Sequence, residues 1–248
     1  FFKGCSEVMK TITNVVLWFS PIGVFGLMAW VVGSYGLAIL GPYAKAILAV
    51  YVGCLLQVVI VQAGIMMGGV CHRNPFRCIK EYMQTILFAV ATCSSVATIP
   101  LNLKNCKRLG AADDVADFVI PFGAVINMNG TAIYEAVAAI FAAQVFGIEL
   151  TLMQQVMIML SAVLASIGTA GVPGSGLIML TVVLNAAGLP LEAVGLLAGV
   201  DRFLNMGRMV PNIFGDGATA MVISKLEGSL HPEMTEEEYE QYEAAKQK

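Results

Sequence analysis

Between residues 200 and 217, VDRFLNMGRMVPNIFGDG, polar side chains recur at Asp201, Asn205, Arg208, Asn212 and Asp216 in a largely apolar segment. Spacings of 4, 3, 4 and 4 keep these five within roughly 80° of a helix circumference, so a helix here carries one polar stripe. The groups suit recognition of small ions. A guanidinium matches a carboxylate, and a carboxylate with backbone carbonyls matches a hard cation. Arg208 stands about two turns from both Asp201 and Asp216, so the stripe predicts that its partner comes from elsewhere. Three other apolar stretches carry polar interruptions: TCSSVATIP at 92–100, NMNGT at 127–131 and GTAGVPGSG at 168–176. Each has a plainer reading. Ser94, Ser95 and Thr98 can cap helices, Asn127 and Asn129 can satisfy a helix break, Arg208 can pair with Glu135, and Met128 and Met209 can simply pack.

The elements that must position these groups follow from hydropathy. The chain has 248 residues, 58% hydrophobic and 12% charged, with a mean hydropathy of +0.78. Soluble domains carry about 25% charged residues, so the expectation is an all-α membrane protein. Uncharged runs cover 11–43, 46–71, 82–103 and 150–191, and roughly 20 apolar residues cross a bilayer. A first helix fits 11–36 with a kink at Pro21, and a second fits 46–70. The run at 150–191 would extend roughly 63 Å as one helix, about twice the hydrocarbon thickness, so it must turn at 168–176. TCSSVATIP favours irregular backbone in the middle of an earlier hairpin.

Two re-entrant hairpins, 76–110 and 150–187, alternate with a broken helix at 115–146 and the striped helix at 190–226. A solvated acidic tail is expected at 227–248. With both hairpins re-entrant, Lys3, Lys10, Arg73, Arg77, Lys80, Lys104, Lys107, Arg108, Lys225, Lys246 and Lys248 fall on one side and Lys45 on the other. That asymmetry places the first hairpin and the C terminus in the cytoplasm. Two hairpins of opposite entry suggest an inverted repeat with its binding site near mid-membrane. The six cysteines form no CxxC pair, so neither a disulfide framework nor a zinc site is indicated. The net charge of −3 includes the acidic tail, and no nucleic-acid partner is expected. The chain begins at Phe1 and reads as a fragment or processed form.

ATCSSVATIP, NMNGTAIYEAVAAIFAAQV, ASIGTAGVPGSG and DRFLNMGRMVPNIFGDG, in that order, resemble the dicarboxylate/amino acid:cation symporters, which include archaeal aspartate transporters and animal excitatory amino acid transporters. The resemblance covers residues 1–230 and places Phe1 just before the family's fifth helix. It implies a multi-pass protein of the cell membrane, a homotrimer in which a transport domain (46–226) moves like an elevator against a scaffold that includes 1–45. It implies sodium-coupled symport of a dicarboxylate or acidic amino acid, with no organic cofactor and no enzymatic activity. Position by position, the substrate would meet Ser94 and Ser95, Val172 to Gly176, Thr131, Arg208 and Asn212. One sodium would take the carbonyls of Gly123, Asn127 and Asn212 with the Asp216 carboxylate. A second would take carbonyls near Val125, Ser166, Ile167 and Thr169, capped by Met128.

The family's amino acid transporters have aspartate at Asn205 and threonine at Met209, both facing the substrate's amino group. Asparagine offers an ammonium no charge and methionine almost no hydrogen bond, so the reading favours C4-dicarboxylates such as succinate, fumarate or malate. Asn129 replaces an aspartate that ligates a third sodium, removing an anionic ligand there. Glu135 matches a position tied to proton coupling and is read as a proton carrier. A gated anion channel and a proton-coupled neutral amino acid transporter of the same fold are the alternatives. A membrane aspartyl protease is excluded because Asp201 and Asp216 lie roughly 22 Å apart on one helix.

Overall fold

A computed structural model describes residues 2–246, and those residues are helical throughout apart from short connections. Helix α1, Phe2–Tyr35, begins before the expected start and runs through Pro21. After a short turn at Leu37–Ile39, α2, Leu40–Leu56, continues into a π-helical stretch, Gln57–Val70. The wider π winding is uncommon and recurs at functional positions. The first hairpin comprises α3, Pro75–Thr92, and α4, Ser95–Arg108. Asn74 caps α3 by accepting from Phe76 and Arg77, with Pro75 in the first turn, where its missing N–H costs nothing.

The expected irregular backbone over 92–100 shrinks to Cys93 and Ser94. Cys93 adopts φ 50°, and the Ser94 hydroxyl accepts from Ala97 at 3.2 Å, so one left-handed residue and one cap complete the turn. The broken helix comprises α5, Asp113–Ile126, and α6, Asn129–Val145, interrupted at Asn127 and Met128. The second hairpin comprises α7, Leu152–Ile167, and α8, Ser175–Ala187. At 1.5 Å per residue its arms reach about 24 Å and 20 Å, each short of a bilayer's hydrocarbon core. The expected helix over 190–226 divides in two: α9, Glu192–Ala198, and α10, Asp201–Leu226.

Helix α10 forms the axis. It packs against α2 and its π-helical extension, α3, α4, α5, α6 and α9. One apolar core lies among α2, α6, α7, α8 and α9, and a second among the π-helical stretch, α3, α4, α5 and α10. On the outside, Trp18, Phe25, Leu48, Leu55, Phe118, Leu164 and Ile178 are exposed. The stretches Leu37–Val70 and Asp113–Val145 are long and apolar enough to cross a membrane. Together these make an exterior suited to lipid.

The C-terminal segment stays mostly exposed, as its composition predicts, and it is also docked on the first hairpin and its flanks. The amides of His231 and Met234 donate to the carbonyls of Gly110 and Arg108 at 2.8 and 2.9 Å. Glu233 pairs with Arg73 and Arg77, Glu236 with Lys104 and Arg108, and both Tyr242 and Lys246 in α11, Glu236–Lys246, donate to Asp113. Opposite charge in the tail and in the loops of the first hairpin explains the docking. The hydrogen bond from Lys104 holds the Glu236 carboxyl below its ordinary 4.5, against some desolvation, with the charges of Lys104 and Arg108 adding to it. A depressed carboxylate contributes fully above its ordinary value and loses that contribution as pH falls through its folded value. Amide protection over 236–246, taken relative to the intrinsic exchange rate at each pH, should therefore be high at pH 7 and fall below pH ~4. Protection that persists unchanged to pH 3 would show that charge does not hold the tail.

Candidate functional site

The first hairpin turn, the second hairpin turn, the break between α5 and α6, and the middle of α10 meet at one place. Ser94 Oγ donates to the Gly171 carbonyl at 2.9 Å, and the Val96 amide donates to the same oxygen at 3.4 Å, joining the two hairpin tips directly. Beneath them lies Arg208, 1% exposed. Its Nε donates to Asn205 Oδ1 at 2.9 Å, a neutral partner three residues earlier on its own helix. Its Cζ stands 5.2 Å from the Tyr134 ring centroid, a cation–π contact. Nη1 is buried without a hydrogen-bond partner, and among the described residues no ion pair involves Arg208.

The guanidinium presses against the first turn of α8. A Cβ at Gly176 would overlap Nη1, so with glycine there the guanidinium lies directly against the hairpin backbone. Val172 is 44% exposed at the tip, with its backbone turned through a bond to Ala170. Ser95 is buried, its hydroxyl 3.9 Å from the Met209 sulfur, and Met209 packs with Ala89 and Ile213. Glu135 does not pair with Arg208. It is fully buried on α6, and neither carboxylate oxygen has a hydrogen-bond partner.

About two turns along α10 the groups change character. Asn212 Oδ1 accepts from the Gly130 amide at 2.8 Å, and its Nδ2 lies 3.4 Å from Thr131 Oγ1 and 3.2 Å from Met128 Sδ. Asn129 Nδ2 donates to Asn127 Oδ1 at 2.9 Å, and Asn127 Nδ2 donates to Asp216 Oδ1 at 2.9 Å. The carboxylate lies over Gly123, and its Oδ2 is buried without a partner. A carboxylate oxygen held in this way, beside broken-helix backbone, fits a hard monovalent cation.

A cavity of about 570 Å³ opens beside this cluster, lined by Gly123, Asn127, Met128, Asn129, Ser166 and Asp216 among others. It also reaches Ile167, whereas Val125 and Thr169 are outside its lining. Thr169 is buried and donates to Ala165 at 3.0 Å, and Ser166 donates to Val163 at 2.8 Å, so both hydroxyls cap the end of α7. Of the residues expected for the first sodium, the structure brings Gly123 and Asn127 to Asp216 in this cavity, while Asn212 turns its side chain to Gly130 and Thr131 outside the lining. The structure brings only part of the second group, Met128, Ser166 and Ile167, to the same cavity.

Asp201 and Asp216 lie at opposite ends of this stretch of one continuous helix, so they cannot face each other as a catalytic pair. Two residues escaped the sequence reading. Tyr134 belongs to an apolar-looking segment, and nothing local marks its ring as an arginine platform. Gln62 did carry a signal: it is one of few polar residues in the run at 46–71, and its Nε2 donates to the Pro211 carbonyl at 2.7 Å.

The chain matches the sodium:dicarboxylate symporter family over residues 1–226. It is 37% identical over 236 residues to excitatory amino acid transporter 4 of Mus musculus, covering 91% of this chain and 41% of that protein. It is 34% identical over 234 residues to the proton/sodium-glutamate symport protein of Geobacillus stearothermophilus, covering 94% of this chain and 55% of that protein. It is 36% identical over 246 residues to C4-dicarboxylate transport protein 2 of Pseudomonas paraeruginosa, covering 96% and 55%. The chain spans about half the length of these relatives. Two joined hairpin tips over a buried arginine, a broken helix facing a buried aspartate, and a match that runs from the first residue through α10 lead to one assignment: the chain belongs to the sodium:dicarboxylate symporter family.

Proposed function

We propose that this chain forms the substrate- and ion-carrying part of a sodium-coupled symporter that moves C4-dicarboxylates, or acidic amino acids, across the cell membrane. The observation that carries this reading is Arg208, a buried guanidinium set under two hairpin tips, whose one hydrogen-bond partner is neutral and which forms no ion pair among the described residues, Asp201 and Glu135 nearby included. A buried cation in an apolar body calls for an anionic ligand. A carboxylate donated by the substrate satisfies Nη1, and lifting the second hairpin would admit it. Ser94 and Ser95 with Val172 to Gly176 close over the ligand, while Thr131 and Asn212 line its other side.

Sodium, as co-transported cargo, would bind at Asp216 with the carbonyls of Gly123, Asn127 and Asn212. A second sodium would bind near Met128, Ser166 and Ile167, with carbonyls of Val125 and Thr169. Asn129 leaves no anionic ligand for a third. Glu135, one turn from Thr131 and without a partner, would carry a proton. The hairpins re-enter the membrane, related as an inverted repeat, with the C terminus cytoplasmic. Residues 46–226 move as an elevator against a trimeric scaffold that includes 1–45.

C4-dicarboxylates rank first because Asn205 spends its acceptor oxygen on Arg208 and Met209 brings a thioether, leaving an ammonium little to bind. The test is uptake into proteoliposomes under an inward sodium gradient, with succinate, malate, aspartate and glutamate compared. Succinate and malate should accumulate above the external concentration, and aspartate and glutamate at least tenfold less efficiently. Preference for aspartate or glutamate would overturn the substrate ranking, and flux without accumulation would point to an anion channel.

A further inference from the structure

Gln62 sits on the π-helical stretch, outside both hairpins, fully buried and directed at α10. Its Nε2 donates to the Pro211 carbonyl, which fixes which end of the amide is which. Pro211 and Gly215 are four residues apart and share one face of α10. A Cβ at Gly215 would lie 2.6 Å from Gln62 Nε2, 2.9 Å from Asn127 Nδ2 and 3.1 Å from Asn129 Nδ2. The nitrogen ends of three amides therefore converge over Gly215. With its nitrogen committed to Pro211, Gln62 leaves Oε1 buried and without a hydrogen-bond partner. Within the same cluster Asp216 Oδ2 is likewise buried and unpartnered, while Asn127 links Asp216 to Asn129.

Gln62 Oε1 and Asp216 Oδ2 are two buried acceptors without donors, and a positive ligand would satisfy both. An amide oxygen and a carboxylate oxygen are the donors a hard monovalent cation takes. We propose that Gln62 is a cation ligand, its Oε1 contributing a neutral oxygen to a sodium ion held by Asp216 and the Asn127 and Asn129 amides. The π-helical stretch thereby becomes part of the ion site, beyond the sodium positions drawn from the hairpins, the broken helix and α10. The inference rests on the reading of Asp216 as a sodium-binding carboxylate. Sodium would then tie the π-helical stretch to α10 and the broken helix, so ion binding would stiffen the body that carries substrate.

The experiment measures thermal stabilisation of the purified protein by sodium chloride, with choline chloride holding ionic strength constant and no substrate present. Gln62→Leu should raise the half-saturating sodium concentration about tenfold, as losing one ligand does. Gln62→Glu keeps an oxygen at that place, adds charge and removes the donor to Pro211, so it should lower the half-saturating concentration several-fold. Opposite shifts support a ligand. Equal shifts, or a Gln62→Leu value within twofold of the parent, overturn the proposal and leave Gln62 as a clamp on the proline turn. Should Gln62→Leu fail to fold, the direction of the Gln62→Glu shift decides alone. Asp216→Asn separates the two levels of the argument. A parent that ignores sodium sinks the underlying site, whereas a sodium response that Asp216→Asn abolishes and Gln62→Leu spares sinks only the role of Gln62.

Discussion

Replacing Arg208 with glutamine should reduce dicarboxylate affinity by at least 100-fold, about 3 kcal/mol or more, while leaving sodium binding in the absence of substrate nearly unchanged. The guanidinium is the buried cation beneath the hairpin tips, and its partners, Asn205 Oδ1 and the Tyr134 ring, carry no formal charge. A substrate carboxylate placed there would meet a pre-formed, desolvated donor fork, where a charged hydrogen bond is stronger than at the surface. Glutamine retains polarity and much of the length, so packing against Gly176 and Tyr134 changes little while the charge is lost. Lysine should rescue poorly, because a point charge cannot keep the bond to Asn205 and also present two parallel donors. Isothermal titration of succinate against the parent and both variants reads this directly. A Gln variant that binds succinate within threefold of the parent would remove Arg208 from the substrate site.

Asp216→Asn should abolish sodium-dependent stabilisation and uphill uptake. The parent is expected to gain about 2.7 kcal/mol when sodium stands at 100 times its dissociation constant, and the variant essentially none. Asparagine preserves the shape over Gly123 and can still accept from Asn127 through Oδ1, so the local hydrogen bond survives. What disappears is the charge. An ionised carboxylate in an apolar body without a cation is costly. The variant should therefore be at least as stable as the parent in choline chloride, and only the parent should respond to sodium. Differential scanning fluorimetry across a sodium titration checks both halves. A variant that keeps the parent's sodium response would move the ion elsewhere, and the part-assembled cluster at Met128, Ser166 and Ile167 would be the next place to look.

Much of this arrangement is legible along the chain because the signals are local. The runs at 46–71 and 150–191 report apolar environments residue by residue, and the second is too long to be one crossing, so the turn at 168–176 follows from length alone. The 4-3-4-4 spacing in α10 puts Asp201, Asn205, Arg208, Asn212 and Asp216 on one face whatever surrounds it. Asn127 in NMNGT ends α5 where its amide side chain meets Asp216, and Asn129 opens α6. At the first hairpin hydrogen-bond satisfaction narrows the break: one left-handed Cys93 and a Ser94 cap make the turn within a nine-residue stretch whose hydroxyls and proline favour irregular backbone throughout.

Tertiary structure alone decided which faces meet. Periodicity states that a residue lies on a buried face but carries no information about what lies opposite. Arg208 rests on Tyr134, 74 positions away in sequence; Gln62 reaches Pro211 across 149 positions; and the acidic tail folds back on Arg73, Arg77 and Lys104. Each of these pairings depends on the packing of α10 against the other helices, which sums many weak contacts along the whole chain. The stripe and the breaks could be read from the sequence because they obey the geometry of a single helix, whereas the proposed ion and substrate sites need three helix interruptions brought to the middle of α10.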